Sequence, residues 1–424
     1  MAGVSLALTG ATLDGSRVAL RAEGGRIAAI GPDVEPGEGD ELIDAAGMRL
    51  VPGLWNSHTH AAMTLFRGYG DDMPLMEWLQ TRIWPVEAKL DADDVYWGTR
   101  LACAEMIRTG TVGFWDMYWQ PGATARAVAD AGLRAVIGAP LIDGGDPGGP
   151  DKVGQVKADV ERSFDELGDP GDRVSRALAP HAIYTVSEQS LRWIGERGAA
   201  DELPIHNHIS ETEKEVDDCV AAHGVRPAEY LDRCGMLGTR TLLAHGVWLD
   251  DAELELIAER GATVVTNPVA NQKLAVGGVF PYPAARKRGI GLGLGTDGPG
   301  SNNSLDMFEQ MKFLALIQKH TAGDPTVAPA NEVWTIATGA GSPLVGASGE
   351  LRAGEPADFL LLRGAPELAL GDPTSELVYA ASGASVVDTT VVAGRVLMQA
   401  GQVAELDAIR AHVVERARRL GISG

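Results

Sequence analysis

The chain has 424 residues, with 36 lysines and arginines against 58 aspartates and glutamates, a formal net charge of −22. Such a surface repels phosphate backbones and anionic lipid, so neither nucleic acid nor a membrane is expected as a partner. No apolar run approaches the roughly 20 residues that a membrane-spanning helix needs, and the N-terminus lacks the basic start of a signal peptide. The three cysteines, Cys103, Cys219 and Cys234, form no Cys-x-x-Cys pair. Neither a disulfide framework nor a cysteine zinc site is expected, and a reducing, cytoplasmic setting fits them.

In chain order, residues 18–22, the Gly24-Gly25 turn and residues 26–30 read as a hairpin. Strand candidates follow at 50–55, 111–115, 134–139, 174–179, 204–208, 241–245, 262–266 and 290–296. Helical patterns fill the gaps, at 94–109, 122–132, 187–198, 250–260 and 305–320. Between the third and fourth strands, Val153, Val156, Val160, Phe164 and Leu167 recur at three- and four-residue steps, one face of a helix. Short apolar strands alternating with helices predict a parallel sheet. Eight such units predict an α/β fold, a closed (β/α)8 TIM barrel over residues 51–349. An open doubly wound sheet is the alternative, but it calls for a glycine-rich phosphate turn after its first strand, where this chain has histidines. Residues 357–362 then read as a strand, and 389–393, Gly394 and 395–398 as a second hairpin. The strand-rich ends predict a small β-sandwich domain built from both termini, residues 1–50 plus 350–424.

The first strand of the alternating region runs into His58-Thr-His60. Side chains at i and i+2 leave a strand on one face, and inward-facing groups at the C-terminal end of a barrel strand stand at the active-site mouth. Two imidazoles there can share a cation. The fifth strand reads His206-Asn-His208-Ile-Ser-Glu211. His208, nearest the strand end, is the better third ligand. His206 faces the same way one layer deeper, and reads as a packed or supporting histidine before a ligand. Glu211 stands in the following loop, where a carboxylate beside a metal serves as general acid and base. With Glu213 and Glu215 close by, a solvated helix start is the plainer alternative. The sixth strand ends in His245 and the eighth in Asp297. A lone histidine there is often a satisfied core group, whereas a carboxylate after an apolar strand needs a cation or hydrogen bonds. His58, His60, His208 and Asp297 together suit a divalent ion with room for water.

Several longer runs carry a resemblance: Val51-Pro-Gly-Leu-Trp-Asn-Ser-His-Thr-His60, Trp84-Pro-Val-Glu87-Ala, Thr111-Val-Gly-Phe-Trp-Asp116-Met-Tyr, Pro180-His181-Ala-Ile-Tyr-Thr-Val-Ser, His208-Ile-Ser-Glu211, Ala244-His245 and Leu294-Gly-Thr-Asp297-Gly-Pro-Gly-Ser301. The set resembles the amidohydrolase superfamily, and within it the branch of 5′-methylthioadenosine/S-adenosylhomocysteine deaminases and the related triazine hydrolases. The resemblance implies that His58, His60, His208 and Asp297 hold one Zn2+, with Fe2+ or Mn2+ as alternatives. Residues 174–181 carry no lysine of the kind that bridges two metals in hydantoinase-like barrels, so a single ion is expected. The same resemblance implies that Glu211 protonates the ring nitrogen beside the reacting carbon, and that His245 orients the attacking water. Asp297 would take the released proton, Glu87 would accept hydrogen bonds from ribose hydroxyls, and His181 would contact the sugar or purine. Trp84, Met73 and Ser301 are further candidates for the substrate pocket. The implied reaction is hydrolytic deamination of an adenine nucleoside, a small-molecule substrate, to the inosine analogue and ammonia. The alternative is deamination or dechlorination of another N-heterocycle: a triazine, guanine or a pterin. A non-catalytic scaffold protein is disfavoured, because all the ligand positions are filled. By resemblance the protein is expected to be a homo-oligomer. Departures from the family pattern occur at Ala270–Gly277, Gly298–Ser301 and Ile183, in loops expected to face substrate. Residues 142–157 contain no arginine. A homocysteine carboxylate calls for one, so a neutral 5′ group fits better.

Overall fold

The computed structural model describes residues 5–144, 152–169, 171–346 and 349–422. Residues 145–151, part of the arginine-free stretch, lie outside them.

The strand Leu54–Thr59 is buried at every position, and so is Thr111–Met117. Continuous burial is the mark of strands covered on both faces. Leu54–Thr59, Thr111–Met117, Arg134–Gly138 and Val174–Arg176 pair side by side, all parallel. Ile205–Ile209, Thr241–His245, Thr263–Thr266 and Gly291–Leu294 form a second parallel set in the same manner. The strand predicted at 174–179 is two pieces: Ala179–Pro180 pairs instead with Pro140–Leu141. Prolines on both sides leave that ladder short of N–H donors and confine it to two residues from each strand. Backbone contacts join the sets at both margins. Leu178 bridges to Ile205 in parallel, and the Asp297 N–H donates to the His58 carbonyl at 3.0 Å.

The connecting segments are helical, as the periodicity predicts. Ala92–Arg108 starts at a reciprocal cap between Asp91 and Asp94, which satisfies N–H groups that the first turn leaves free. Val153–Leu167 buries Val156, Val160 and Leu167 on the predicted face. The helices outside the predicted spans include Glu213–His223 and Pro227–Arg233. The first buries only Glu215, Val216 and Cys219, too thin a stripe for apolar spacing to reveal.

Both ends of the chain meet in one nine-stranded sheet. Arg49–Pro52 is its junction: it pairs in parallel with Ser5–Leu13 and antiparallel with Phe359–Leu362. Both predicted hairpins are present, Ser16–Glu23 with Arg26–Gly31 and Val387–Val392 with Arg395–Gln399. This sheet has its own apolar cluster, which includes Leu6, Leu8, Leu20, Phe359, Leu361 and Val391. Two helices within the C-terminal stretch pack elsewhere. Pro373–Tyr379 lies on Met307–Ala322 and Ala330–Ala337. Leu406–Leu420 lies on Ala92–Arg108, where Ile409 and Val413 join a cluster with Phe66, Trp78 and Val95.

Candidate active site

The predicted ligand residues converge where the parallel strands end. His58 and His60 leave the strand Leu54–Thr59 on one side, two residues apart as the pleat requires. Their Nε2 atoms stand 3.4 and 3.2 Å from Asp297 Oδ1. The ligating atoms of His58, His60 and Asp297 lie within 4.8 Å of one another, as do those of His58, His208 and His245. Gly295 permits this closeness: a Cβ there would meet the His58 carbonyl and Cβ at 2.9 Å.

Each predicted histidine ligand is anchored through Nδ1. His60 donates to the Met117 carbonyl at 2.6 Å and His208 to the His181 carbonyl at 2.7 Å. A carbonyl only accepts, so each Nδ1 carries a hydrogen, and in the neutral imidazole Nε2 is left as a lone-pair donor. His58 Nδ1 lies 2.7 Å from His206 Nε2. His206 thus stands behind His58, one layer deeper, as its register predicts. His58 Nε2 is buried and has no hydrogen-bond partner among the described residues, a state that calls for a cation. Burial holds the His58 imidazole down to about 3 and that of His208 well below its ordinary value. Both are neutral, the form that ligates. Burial works against ionisation of Asp297, but the His58 and His60 imidazoles beside it hold its carboxyl well below the usual range. Two or three neutral imidazoles with one carboxylate are the donor chemistry of a divalent metal site.

Ser301 donates its hydroxyl to Asp297 Oδ2 at 2.6 Å, and so steadies the carboxylate as well as lining the cavity. His245 Nδ1 lies 2.9 Å from Asn271 Oδ1 and 3.8 Å from Glu211 Oε1. Burial raises the Glu211 carboxyl above its ordinary value. Ser210, His245 and Asp297 all have left-handed backbone, with φ of 47°, 77° and 60°. Each such residue costs about 1–3 kcal/mol and persists only where its surroundings enforce it.

These groups open on a cleft that encloses about 750 Å³ of empty space, open solvent at its mouth included. Glu87 and His181 line it, with Trp84 at its rim, 41% exposed. Glu87 accepts a hydrogen bond from the Tyr118 hydroxyl at 2.8 Å, and burial lifts its carboxyl above the ordinary value. Burial lowers the His181 imidazole to about 4. Met73 stands apart from the cavity wall, half-buried against the cluster around Phe66 and Trp78. Met63 takes the place expected of it, because residues Ala61–Phe66 wind into a tight 3₁₀ turn directly after His60. Sequence reasoning also passed over Tyr118, and over the structural part of Asp116. Asp116 Oδ1 accepts the N–H of Ala61 at 2.7 Å, and burial raises its carboxyl to about 6. Its place in the quoted Trp115-Asp116-Met-Tyr118 run was the available signal.

Residues 49–397 match the Amidohydrolase family, and the chain belongs to it. The chain is 48% identical to a 5′-deoxyadenosine deaminase of Methanoregula boonei, over 91% of this chain and 87% of that protein. It is 44% identical to 5-methylthioadenosine/S-adenosylhomocysteine deaminase 1 of Archaeoglobus fulgidus, over 90% and 89%. Among solved structures, an adenosine deaminase from Xanthomonas campestris with bound zinc superposes with a TM-score of 0.90 at 32% identity, covering 100% of this chain and 99% of that one. The atrazine chlorohydrolase TrzN of Arthrobacter aurescens shares the fold, with a TM-score of 0.85 at 22% identity over 97% and 100%.

Proposed function

We propose that this amidohydrolase is a zinc-dependent deaminase that hydrolyses an adenine nucleoside to the inosine analogue and ammonia. One observation carries the proposal: His60 and Asp297, two members of the donor cluster completed by the buried His58, line one cavity with Glu211, His245, Glu87 and His181. The deaminases at 44–48% identity and the zinc-bound neighbour support substrate class and metal.

His58, His60, His208 and Asp297 would hold the ion. When bound, it supplies the positive charge that lowers the pKa of water from 15.7 to about 7. The chain's own groups do the rest. Glu211, whose burial favours the protonated carboxyl, donates to N1 of the purine as water adds to C6, so negative charge does not build on the ring. Asp297 accepts the proton that water gives up. His245, held by Asn271, orients that water. Asp297 then passes that proton to the exocyclic nitrogen, the C6–N bond breaks as the C6 hydroxyl becomes the carbonyl and returns its proton to Glu211, and ammonia leaves. Glu87 and His181 receive the ribose hydroxyls and the nucleoside body.

A neutral 5′ group belongs to the same proposal. Among the described residues no lysine or arginine lines the cavity, and residues 142–157 contain no arginine. For the fold we propose that the two parallel sets are arcs of one closed (β/α)8 barrel over residues 51–349. The hydrogen bonds joining their margins support this. The end sheet, with its separate apolar cluster, supports a second unit from residues 1–50 and 350–424.

The test is ammonia release by zinc-loaded protein from adenosine, 5′-deoxyadenosine, methylthioadenosine, S-adenosylhomocysteine, guanine and a chlorotriazine, with chloride followed for the last. Turnover is expected with the nucleosides, strongest for those with an uncharged 5′ group. Turnover confined to guanine or the triazine would overturn the proposal.

A further inference from the structure

The sequence Thr212-Glu-Lys-Glu215 opens the helix Glu213–His223 in the form of a capping box. Half of the box is present: the Thr212 hydroxyl accepts the Glu215 N–H at 3.2 Å. In the usual box the glutamate reaches back to the N–H of the capping residue itself. Glu215 reaches further. Its Oε1 accepts the N–H of Ser210 at 2.8 Å and its Oε2 the N–H of Glu211 at 2.9 Å. Both carboxylate oxygens are thus spent on the two peptide groups that aim Glu211 into the cavity.

Ser210 has a backbone φ of 47°, a conformation that a serine does not hold unaided. The strand ends at Ile209, so the ladder that fixes His208 no longer constrains Ser210 and Glu211. Their carbonyl side is held by the neighbouring segment, where the Trp248 N–H donates to the Ser210 carbonyl at 2.9 Å. Their N–H side is held by Glu215. Glu215 is 5% exposed, and burial pushes its carboxyl up to about 7. Mere helix capping needs no buried charge, since serine or threonine caps a helix from the surface.

We infer that Glu215 is a positioning residue: its carboxylate clamps the left-handed turn at Ser210 and thereby holds Glu211 at the reacting ring. The inference rests on Glu211 being the proton donor. The clamp sets the direction of the Glu211 side chain rather than the shape of the nucleoside pocket, so its loss falls on kcat.

The test compares Glu215→Gln, Glu215→Asp, Glu211→Gln and the double variant Ser210→Gly with Glu215→Gln, all zinc-loaded. An amide turns an N–H donor toward one of the two peptide N–H groups. Glu215→Gln is therefore expected to lose about 10- to 100-fold in kcat, with KM within a few-fold. Amide hydrogen exchange at Ser210 and Glu211 is expected to speed up in the same variant. Glycine adopts the left-handed conformation freely, so Ser210→Gly should restore part of kcat to Glu215→Gln. Restoration separates a lost clamp from a lost charge. Wild-type kcat in both Glu215 variants would overturn the inference, as would a loss confined to KM or no recovery in the double variant. Glu211→Gln should lose about 10²–10⁴-fold. If it keeps the wild-type rate, the proton-donor reading itself fails. If it is inactive while Glu215→Gln is unimpaired, only the clamp fails.

Discussion

At the scale of single residues, the candidate histidine ligands are held from behind. His60 and His208 lean on backbone carbonyls, which no substitution removes, whereas His58 leans on the side chain of His206. Ligation through Nε2 leaves the His58 hydrogen on Nδ1, where it donates to His206 Nε2. The His206 hydrogen then sits on Nδ1, which has no hydrogen-bond partner among the described residues, and the His206 and Trp115 rings lie edge to face. His206→Leu removes the acceptor and is expected to weaken zinc binding about 10- to 100-fold. His206→Gln, which retains an acceptor oxygen, should weaken it much less. Competition with a chromogenic chelator reads both without any turnover; equal affinities in the two variants would refute this role. The convergence of these side chains was legible in the sequence because strand geometry leaves few choices: a His-x-His at a strand end must present both rings together. The support behind them was not. A hydrogen bond between His58 and His206 joins strands far apart in sequence. The Thr212–Glu215 spacing announces a helix cap whether or not the carboxylate stops there.

Among the secondary-structure elements, the predicted strands emerge because each is a short apolar run bounded by turn residues, a pattern that needs no partner to be seen. The segment 75–87 fails that criterion. It folds as the short turns Leu75–Trp78, Leu79–Ile83 and Trp84–Glu87. Its large side chains line a cavity, so no helical stripe marks them. The helix Met307–Ala322 offers a prediction of its own. Asp306 caps it, accepting N–H groups of Phe308 and of Gly383. Burial raises the Asp306 carboxyl to about 6, from an ordinary 3.8. The folded protein thus binds this proton more tightly than the unfolded chain, and the associated stability is lost as pH rises through about 6. Asp306→Asn has no such proton to bind. The Tm of the wild type relative to that variant is expected to be higher at about pH 5 than at about pH 8. A constant difference across that interval would contradict the assignment.

For the molecule as a whole, composition and alternation were enough to anticipate parallel strands in the middle and a β unit from both ends. They did not reveal where the terminal helix packs. Leu406–Leu420 carries its apolar residues for the helix Ala92–Arg108, and Arg419 pairs with Asp94 at the start of that helix. Complementarity between distant surfaces has no local signature. A chain cut before Phe359 leaves Arg49–Pro52 as an open, apolar sheet edge, the kind of edge that templates aggregation. Such a truncation is expected in the insoluble fraction, and a soluble monomer with an undiminished Tm would count against the sheet's role.

The junction at Arg49–Pro52 also dictates a schedule. Its partner Phe359–Leu362 leaves the ribosome only after the entire catalytic portion has been translated. The first strands made are therefore the last to be completed. Throughout synthesis the nascent chain carries an unfinished ladder at its leading end, and closing so long a loop is intrinsically slow. Sequence changes near residue 360 should therefore register in the yield of folded enzyme before they register in turnover.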